Sequence, residues 1–376
     1  MLSHRRMREI IVCTAEGSRA IGRGCMDRKP RRSRRAWMLG VLALLIALAA
    51  AHALLWRATA REMEAGWQAW VGLRRAQGWR VEHAPPVRGG WPLAATLTVD
   101  RLRMDGAAAT LPGGMGLSAE RVVLRVSPPR LDRLVVDLPG QQRLRLGGTE
   151  FPFTADRLVA ALPLEPGTPP SSAEVNAERL RIGTPAGALE MRRARLAVEG
   201  SASATEEEPA LELAFSAENL QLPAAPGGTA AFGRMVQSVA TEMAVSGPLP
   251  PGRSPTGRAE AWRDGGGTLE LRSASLRWGP VGARAAATLA LDEALQPMGA
   301  GTLRLTGAAE VLEALAGAGM IAQRAAATAR TVVPLLSRPS EDGVPEIEVP
   351  VTLEERTLAV ARIPVLRLAP LDWPGR

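Results

Sequence analysis

AWMLGVLALLIALAAAHALLW, Ala36 to Trp56, decides how the rest of this chain is read. The stretch contains no charged side chain. At about 1.5 Å rise per residue a helix of this length runs about 30 Å, the thickness of a bilayer's hydrocarbon core. Trp37 and Trp56 fall near its ends, where indoles favour the membrane interface, and Leu39, Leu44 and Leu48 lie between them. A buried soluble helix is rarely apolar on every side over such a length, so the run predicts a membrane anchor.

Charge divides sharply across this stretch. The chain carries a net +8, yet residues 1–35 hold eleven basic and three acidic side chains, and residues 36–376 hold 35 of each. The excess ends in Arg31, Arg32, Arg34 and Arg35, immediately before the apolar run. Basic residues stay on the cytoplasmic side of a spanning helix. The expected topology is therefore a single pass through an inner membrane, N-terminus inside and body in the periplasm. Nucleic acid is not an expected partner, because a body of zero net charge has no overall excess to neutralise phosphates. Cys13 and Cys25, the only cysteines, both precede the run, so the expected exported part contains no disulfide.

A competing reading is a cleaved signal. Ser33-Arg34-Arg35 resembles a twin-arginine export motif, and Ala51-His52-Ala53 resembles a small-residue cleavage site. The retained anchor is preferred, because the run exceeds a signal core and continues through Leu54, Leu55 and Trp56. Met26 is a second candidate start. The expected organisation is a basic cytoplasmic tail over 1–35, the anchor over 36–56, a membrane-proximal helix over 57–78 and a β-rich body over 79–376.

Trp67, Trp70 and Val71 fall at i, i+3 and i+4, one face of a helix continuing past the membrane. That face is expected to rest either on lipid headgroups or on the domain that follows. From Trp79 onward the period changes to two. Thr96 to Asp100 alternates, and Arg101 to Asp105 alternates one step out of phase, which predicts a bulge. Residues 143–146, 211–213, 268–272, 302–306 and 346–349 are further strand candidates, separated by Gly- and Pro-rich turns. Gly147-Gly148 and residues 223–230 are possible seams. Ala308 to Leu336 reads as a broken helix, split near Gly317 and Gly319 and kinked or ended at Pro334. A shorter helix is expected over Ala230 to Ala240. The fold class expected is mainly β with some helix (α+β), its antiparallel, one-sided strands forming a sandwich or a curled sheet.

A loose repeat recurs as Val99-Asp100-Arg101-Leu102, Ala119-Glu120-Arg121-Val122, Ala155-Asp156-Arg157-Leu158, Ala177-Glu178-Arg179-Leu180 and Ala217-Glu218-Asn219-Leu220. Its unequal spacing excludes a fixed-period solenoid. Each tetrad reads as a strand start, with its acid in a solvated ion pair.

The residues expected outside the membrane carry little catalytic equipment. They hold one histidine, His83, beside Pro85 and Pro86, and no cysteine. A zinc or copper site needs more ligands than that. There is no G-x-S-x-G elbow and no phosphate loop, since Lys29 is the only lysine. No cofactor and no enzymatic reaction is expected, and a carboxylate-dependent hydrolase is the remaining enzymatic alternative. The strands imply a large apolar face that so few helices cannot cover. The expectation is a binding protein that holds or transfers lipid or another apolar ligand, with a structural or assembly role beside other envelope proteins as the alternative.

Gly90-Trp91-Pro92, Trp278-Gly279-Pro280, Leu291-Asp292, Gln296-Pro297-Met298-Gly299, then Leu315, Gly319 and Met320, and the closing Ala369-Pro370-Leu371-Asp372-Trp373-Pro374 carry a resemblance. Together they resemble bacterial domain of unknown function family 2125, over about residues 40–376. The resemblance implies an envelope protein with an N-terminal anchor and a β-rich body, and implies no reaction. A more distant similarity is to AsmA-like envelope proteins, which share a single anchor, a strand-rich body and a link to lipid traffic.

Overall fold

The structure is a computed structural model. It describes residues 34–106, 114–164, 171–201, 204, 208–223, 232–247, 249, 254–317, 319, 322–339, 343–371 and 373, without the side chains of Arg34, Arg35, Ala325, Ala329 and Leu336. Arg31, Arg32, Met26, both cysteines and Asp372 lie outside the described residues. Contacts divide the chain into two units, residues 1–52 and 53–376.

Helix α1 runs from Arg34 to Ala76. Within the first unit its side chains stand open, with Trp37 at 74% and Leu39 at 65% exposure. Among the described residues it is the one helix long and apolar enough to cross a membrane.

The second unit is mainly β. Its first strands are β1 (Arg80–Glu82), β2 (Val87–Gly89), β3 (Ala95–Gly106), β4 (Met115–Ser127), β5 (Arg130–Asp137), β6 (Gln141–Leu146), β7 (Thr149–Thr154) and β8 (Arg157–Pro163). Four long strands follow: β9 (Ser172–Thr184), β10 (Gly187–Gly200), β11 (Pro209–Gln221) and β12 (Met235–Ser246). After helix α2 (Pro255–Asp264) come β13 (Leu269–Trp278), β14 (Val281–Leu291) and β15 (Pro297–Thr306). Helices α3 (Ala308–Gly317) and α4 (Gln323–Leu336) precede β16 (Arg338–Pro339), β17 (Pro345–Glu354), β18 (Thr357–Val360) and β19 (Ile363–Arg367).

All these strands join one antiparallel sheet, so the two-sheet sandwich is not formed. β1 and β2 both pair with β3, and β3 pairs with β4. The ladder then splits. β4 pairs with β5 beyond Val123 and with β6 before Ala119; these continue to β8 and β7, which both meet β9. From β9 each strand pairs with the next through β15, then β17, β18 and β19, with the short β16 beside β17. Two of the described turns, Glu355-Arg356 and Ala361-Arg362, are built from residues with positive φ.

The phase slip expected in β3 is present. Arg101 has φ 53°, and the register passes from Asp100↔Arg121 to Leu102↔Ala119, leaving Arg101 and Glu120 outside the pairing. Arg179 in β9 (φ 48°) and Asn219 in β11 (φ 51°) repeat this, both beside Arg192 of β10. The register does not shift at these points, so they are not the one-residue bulge expected: one residue of each strand drops out of the pairing together, and positions three apart then face the same side on both strands. Val99 and Leu102 are both buried for that reason, as are Ala119 and Val122. Four of the five tetrads are therefore mid-strand irregularities rather than strand starts; only Ala155 to Leu158 lies where a strand, β8, begins. A second correction concerns Ala230 to Ala240. From Met235 onward this segment is β12, because Val236, Val239, Thr241 and Val245 favour a strand and β11 and β13 pair with it on both sides. Ala230 and Ala231 lie outside the described residues.

Buried residues concentrate beneath the second half of α1. Trp67 and Val71 pack with Val81, Leu97, Val99, Leu102, Met104, Ala119, Val122 and Leu124. The Trp67–Val71 face thus lies against the following domain rather than on lipid. Trp67 stacks on Trp70 and donates from Nε1 to His83 Nε2 at 3.4 Å. The other nitrogen of His83 lies 2.7 Å from the Ala84 carbonyl oxygen, so His83 is a half-buried packing partner rather than a surface residue. Gly319 (φ 72°) separates α3 from α4, and Pro334 lies inside the last turn of α4.

Candidate functional site

Cross-strand partners share a face of a sheet. Reading across from β9, Val175, Leu196, Phe215, Thr241, Ala274, Ala285, Leu303 and Val349 form one row. Ala173, Val198, Leu213, Met243, Leu271, Ala287, Gly301, Val351 and Val360 form the next. These rows contain no charged residue. The row on the other side of the first, Asn176, Arg195, Ser216, Ala240, Ser275, Arg284, Arg304 and Glu348, points to the opposite face. The apolar face is continuous with the one buried under α1, through Ile182, Phe153, Gln142, Ala119 and Leu102.

Cover distinguishes the two ends. From β13 to β17 the apolar rows are half-buried: Leu269, Leu271, Leu276, Leu289, Leu303, Leu305, Ile347 and Val349 all retain solvent access. A cluster over β8–β11, built on Ala177, Met191, Ala194 and Ala217, draws every member from neighbouring strands and none from a facing layer. Over β14 and β15 the face is low, made by Ala283, Ala285, Ala287, Gly299 and Gly301. A Cβ on Gly301 would collide with the Ala286 carbonyl oxygen, and one on Gly299 with that of Thr288, so the strand approach there requires glycine. Leu271 and Val351 flank this floor in the Gly301 row, three strand spacings or about 14 Å of sheet width apart.

The reverse face is polar. Arg195 pairs with Glu174 at 3.2 Å, Arg193 with Glu218 at 3.2 Å, Arg272 with Glu212 at 2.6 Å and Arg304 with Glu348 at 2.9 Å. Asp100 pairs with Arg121 at 2.7 Å, and Asp156 pairs with Arg179, so tetrad acids meet arginines of neighbouring strands in open ion pairs. A hydrogen bond from Asn176, with the charges of Arg195 and Arg133, holds the Glu174 carboxyl below the usual carboxylate range. A depression of about 610 Å³ opens on this face, lined by Arg133, Arg157, Arg193 and Arg195 with Glu178 and Glu218. Glu178 and Glu218 both pair across the ladder with Arg193, so they stand two strands apart with the guanidinium's strand between them. Among the described residues no group of three or more His, Cys, Asp or Glu is arranged to hold a metal ion.

The anchor residues separate into two groups. Trp37, Leu39, Leu44 and Leu48 are exposed on α1. Trp56 is half-buried and donates from Nε1 to the Ala94 carbonyl oxygen at 2.9 Å. Arg34 and Arg35 begin the helix. The apolar rows themselves were not identifiable residue by residue in the sequence. The useful signal was the period-two spacing of Ala283, Ala285, Ala287 and Leu289 after the Gly279-Pro280 turn.

Fold and face together define a class: an open, one-sided antiparallel sheet behind an N-terminal apolar helix of spanning length. The chain belongs to domain of unknown function family 2125, described as an uncharacterized protein conserved in bacteria, whose profile matches residues 56–369. No curated protein matches it, and no solved structure does. The likeness to AsmA-like proteins gains no support from these comparisons.

Proposed function

We propose that this chain is a single-span, inner-membrane-anchored protein whose periplasmic sheet holds an acyl chain, or another apolar ligand of similar form, on the open apolar face of β13–β17. The observation that carries this reading is the difference in cover along one face. Where α1 lies on it, side chains such as Leu97 are fully buried; where, among the described residues, no helix of that size lies on it, Leu271 and Leu303 are only half-buried. Apolar side chains that keep solvent access across several neighbouring strands favour a partner. The apolar N-terminal helix makes a bilayer the nearest source of one. The aliphatic lining with its low floor of alanine and glycine suits a flexible acyl chain better than a planar aromatic. This reading assigns no reaction and no cofactor.

Photocrosslinking in cells tests it. A photoreactive residue at Leu271 or Leu303 is expected to give lipid adducts, while one at Ser275 or Arg284, on the reverse face, gives none. Adducts to protein alone, or none at either face, would overturn it. A second reading rests on β19. Ile363, Val365 and Leu366 are exposed, and among the described residues no strand pairs with the far edge of β19. An open strand edge accepts another strand, which fits an assembly role. Crosslinks from Val365 to a defined envelope protein, with no lipid at Leu303, would favour it.

A further inference from the structure

We infer that the Gly90–Ala94 turn is a second membrane contact, in which Trp91 and Leu93 enter the interfacial layer of the bilayer that α1 crosses. The inference rests on α1 being inserted. Leu93 is 84% exposed and Trp91 49% exposed, at the tip of a turn closed by the Ala94 N–H donating to the Gly90 carbonyl at 2.9 Å. The turn is rigid: Gly90 has φ 87°, and a Cβ there would stand 2.6 Å from the Ala94 carbonyl oxygen. It is also fastened. Trp56 donates to Ala94 at 2.9 Å and meets the Trp91 ring edge-on at 5.8 Å between centroids.

Trp56 is the last residue of the apolar run, so it marks the depth at which the helix leaves hydrocarbon. A turn bound to Trp56 shares that depth. Leu54 and Leu55, on the helix just before Trp56, are 67% and 45% exposed. Arg57 and Arg61 follow and are exposed, at the level where guanidinium groups meet phosphates. Tryptophan and leucine beside a basic helix exit match the chemistry of the headgroup–acyl boundary. A protein partner would have to reach the same apolar tip at the surface of the bilayer. The continuity of the turn with the spanning run therefore favours lipid. Two fixed points, helix and turn, would hold the sheet in one attitude to the membrane.

The test uses the full chain with Cys13→Ser and Cys25→Ser, and a single new thiol at Leu93→Cys carrying an environment-sensitive fluorophore. It is reconstituted in phosphatidylcholine–phosphatidylglycerol vesicles. Leu93 is open, so its replacement leaves the fold intact. The expected result is a blue-shifted emission, quenched several-fold more by lipids with a headgroup-level nitroxide than the same label at Ser273→Cys on the polar face. An aqueous spectrum at position 93 would overturn the inference. So would a blue shift insensitive to nitroxide lipid, which would show that protein covers the turn.

Discussion

Leu97 and Leu303 lie on the same face of the same sheet, and they have opposite surroundings. Leu97, in β3, is fully buried beneath α1 with Trp67 and Val71. Leu303, in β15, lies between Ala285 and Val349 and keeps solvent access. Both strands alternate apolar and polar side chains, so the difference is not in the strands. It comes from what is laid over them. The helix residues over β3 include two tryptophans and a valine at helical spacing. The helices that contact β14 and β17 are α3 and α4, which are short and alanine-rich. One sheet face thus serves as a sealed core at one end and as an open surface at the other.

The largest expected effect is at the sealed end. Leu97→Ala should cost about 3–5 kcal/mol, because its cavity is lined on all sides and cannot be filled by water. Leu303→Ala should cost less, about 1–2 kcal/mol, since part of its surface is already wet. Urea unfolding of both variants in the same detergent measures the difference. Equal losses would mean that β15 is as well covered as β3.

Introducing charge separates the two ends by function as well as stability. Val99→Glu should prevent folding, since a carboxylate there would be buried without a partner. Leu303→Glu should leave a folded protein, with the sheet's circular dichroism unchanged and its stability lowered by about 1–2 kcal/mol. It should also remove most of the lipid adducts formed from Leu271. A folded Leu303→Glu variant with undiminished adducts would move the ligand away from this face.

Much of this arrangement was legible in the sequence, and what escaped has physical causes. The apolar run and the period-two strands were readable because each repeats one simple geometric signal. The phase slip at Arg101 was readable too, since two alternating stretches were joined out of step. The meaning of the tetrads was not. An acid and a basic residue before an aliphatic look the same at a strand start and at a mid-strand irregularity, and only the backbone conformation and the cross-strand pairing tell them apart. Asn219 was the one available hint, being a residue type that tolerates left-handed backbone. Trp91 and Leu93 were invisible as a surface, because their exposure depends on Trp56, far away in the chain. That so few helices would leave part of the apolar face uncovered was legible; where along the sheet it opens was hidden, because cover is a property of the layers, not of the strands.

Both ends also store backbone strain, in different places. Arg101 is left-handed inside β3 at the sealed end; Glu355 and Arg356 (φ 48° and 65°) are left-handed in the β17–β18 turn at the open end. Glycine removes the Cβ clash in each case. Arg356→Gly should stabilise by about 0.5–1 kcal/mol, since it relieves the left-handed strain and keeps the Arg356 carbonyl that accepts from the Leu368 N–H. Arg101→Gly should gain less, because the irregularity is already fixed by packing of Val99 and Leu102 on either side. Thermal unfolding of the two variants ranks them; a larger gain at Arg101 would show that the sealed end is the more strained.

The smallest effect belongs to the polar face, and here the sign can be worked out. Hydrogen bonding from Asn176 and the charges of Arg195 and Arg133 lower the Glu174 pKa in the folded chain. A carboxylate with a lowered folded pKa adds stability above its unfolded pKa, and that contribution is lost as pH falls through the folded value. The Glu174 side chain is 35% exposed and its Arg195 partner 60% exposed, so solvent screens the pair heavily. The contribution belongs in the surface range, about 0.2–1 kcal/mol. Glu174→Gln should therefore lower stability slightly near neutral pH and lose less than the parent on acidification below the ordinary carboxylate pKa. The gap between the two unfolding curves should close in acid and shrink in high salt. A gap that persists unchanged in both would mean that Glu174 acts through packing against β8 and β10 rather than through its charge.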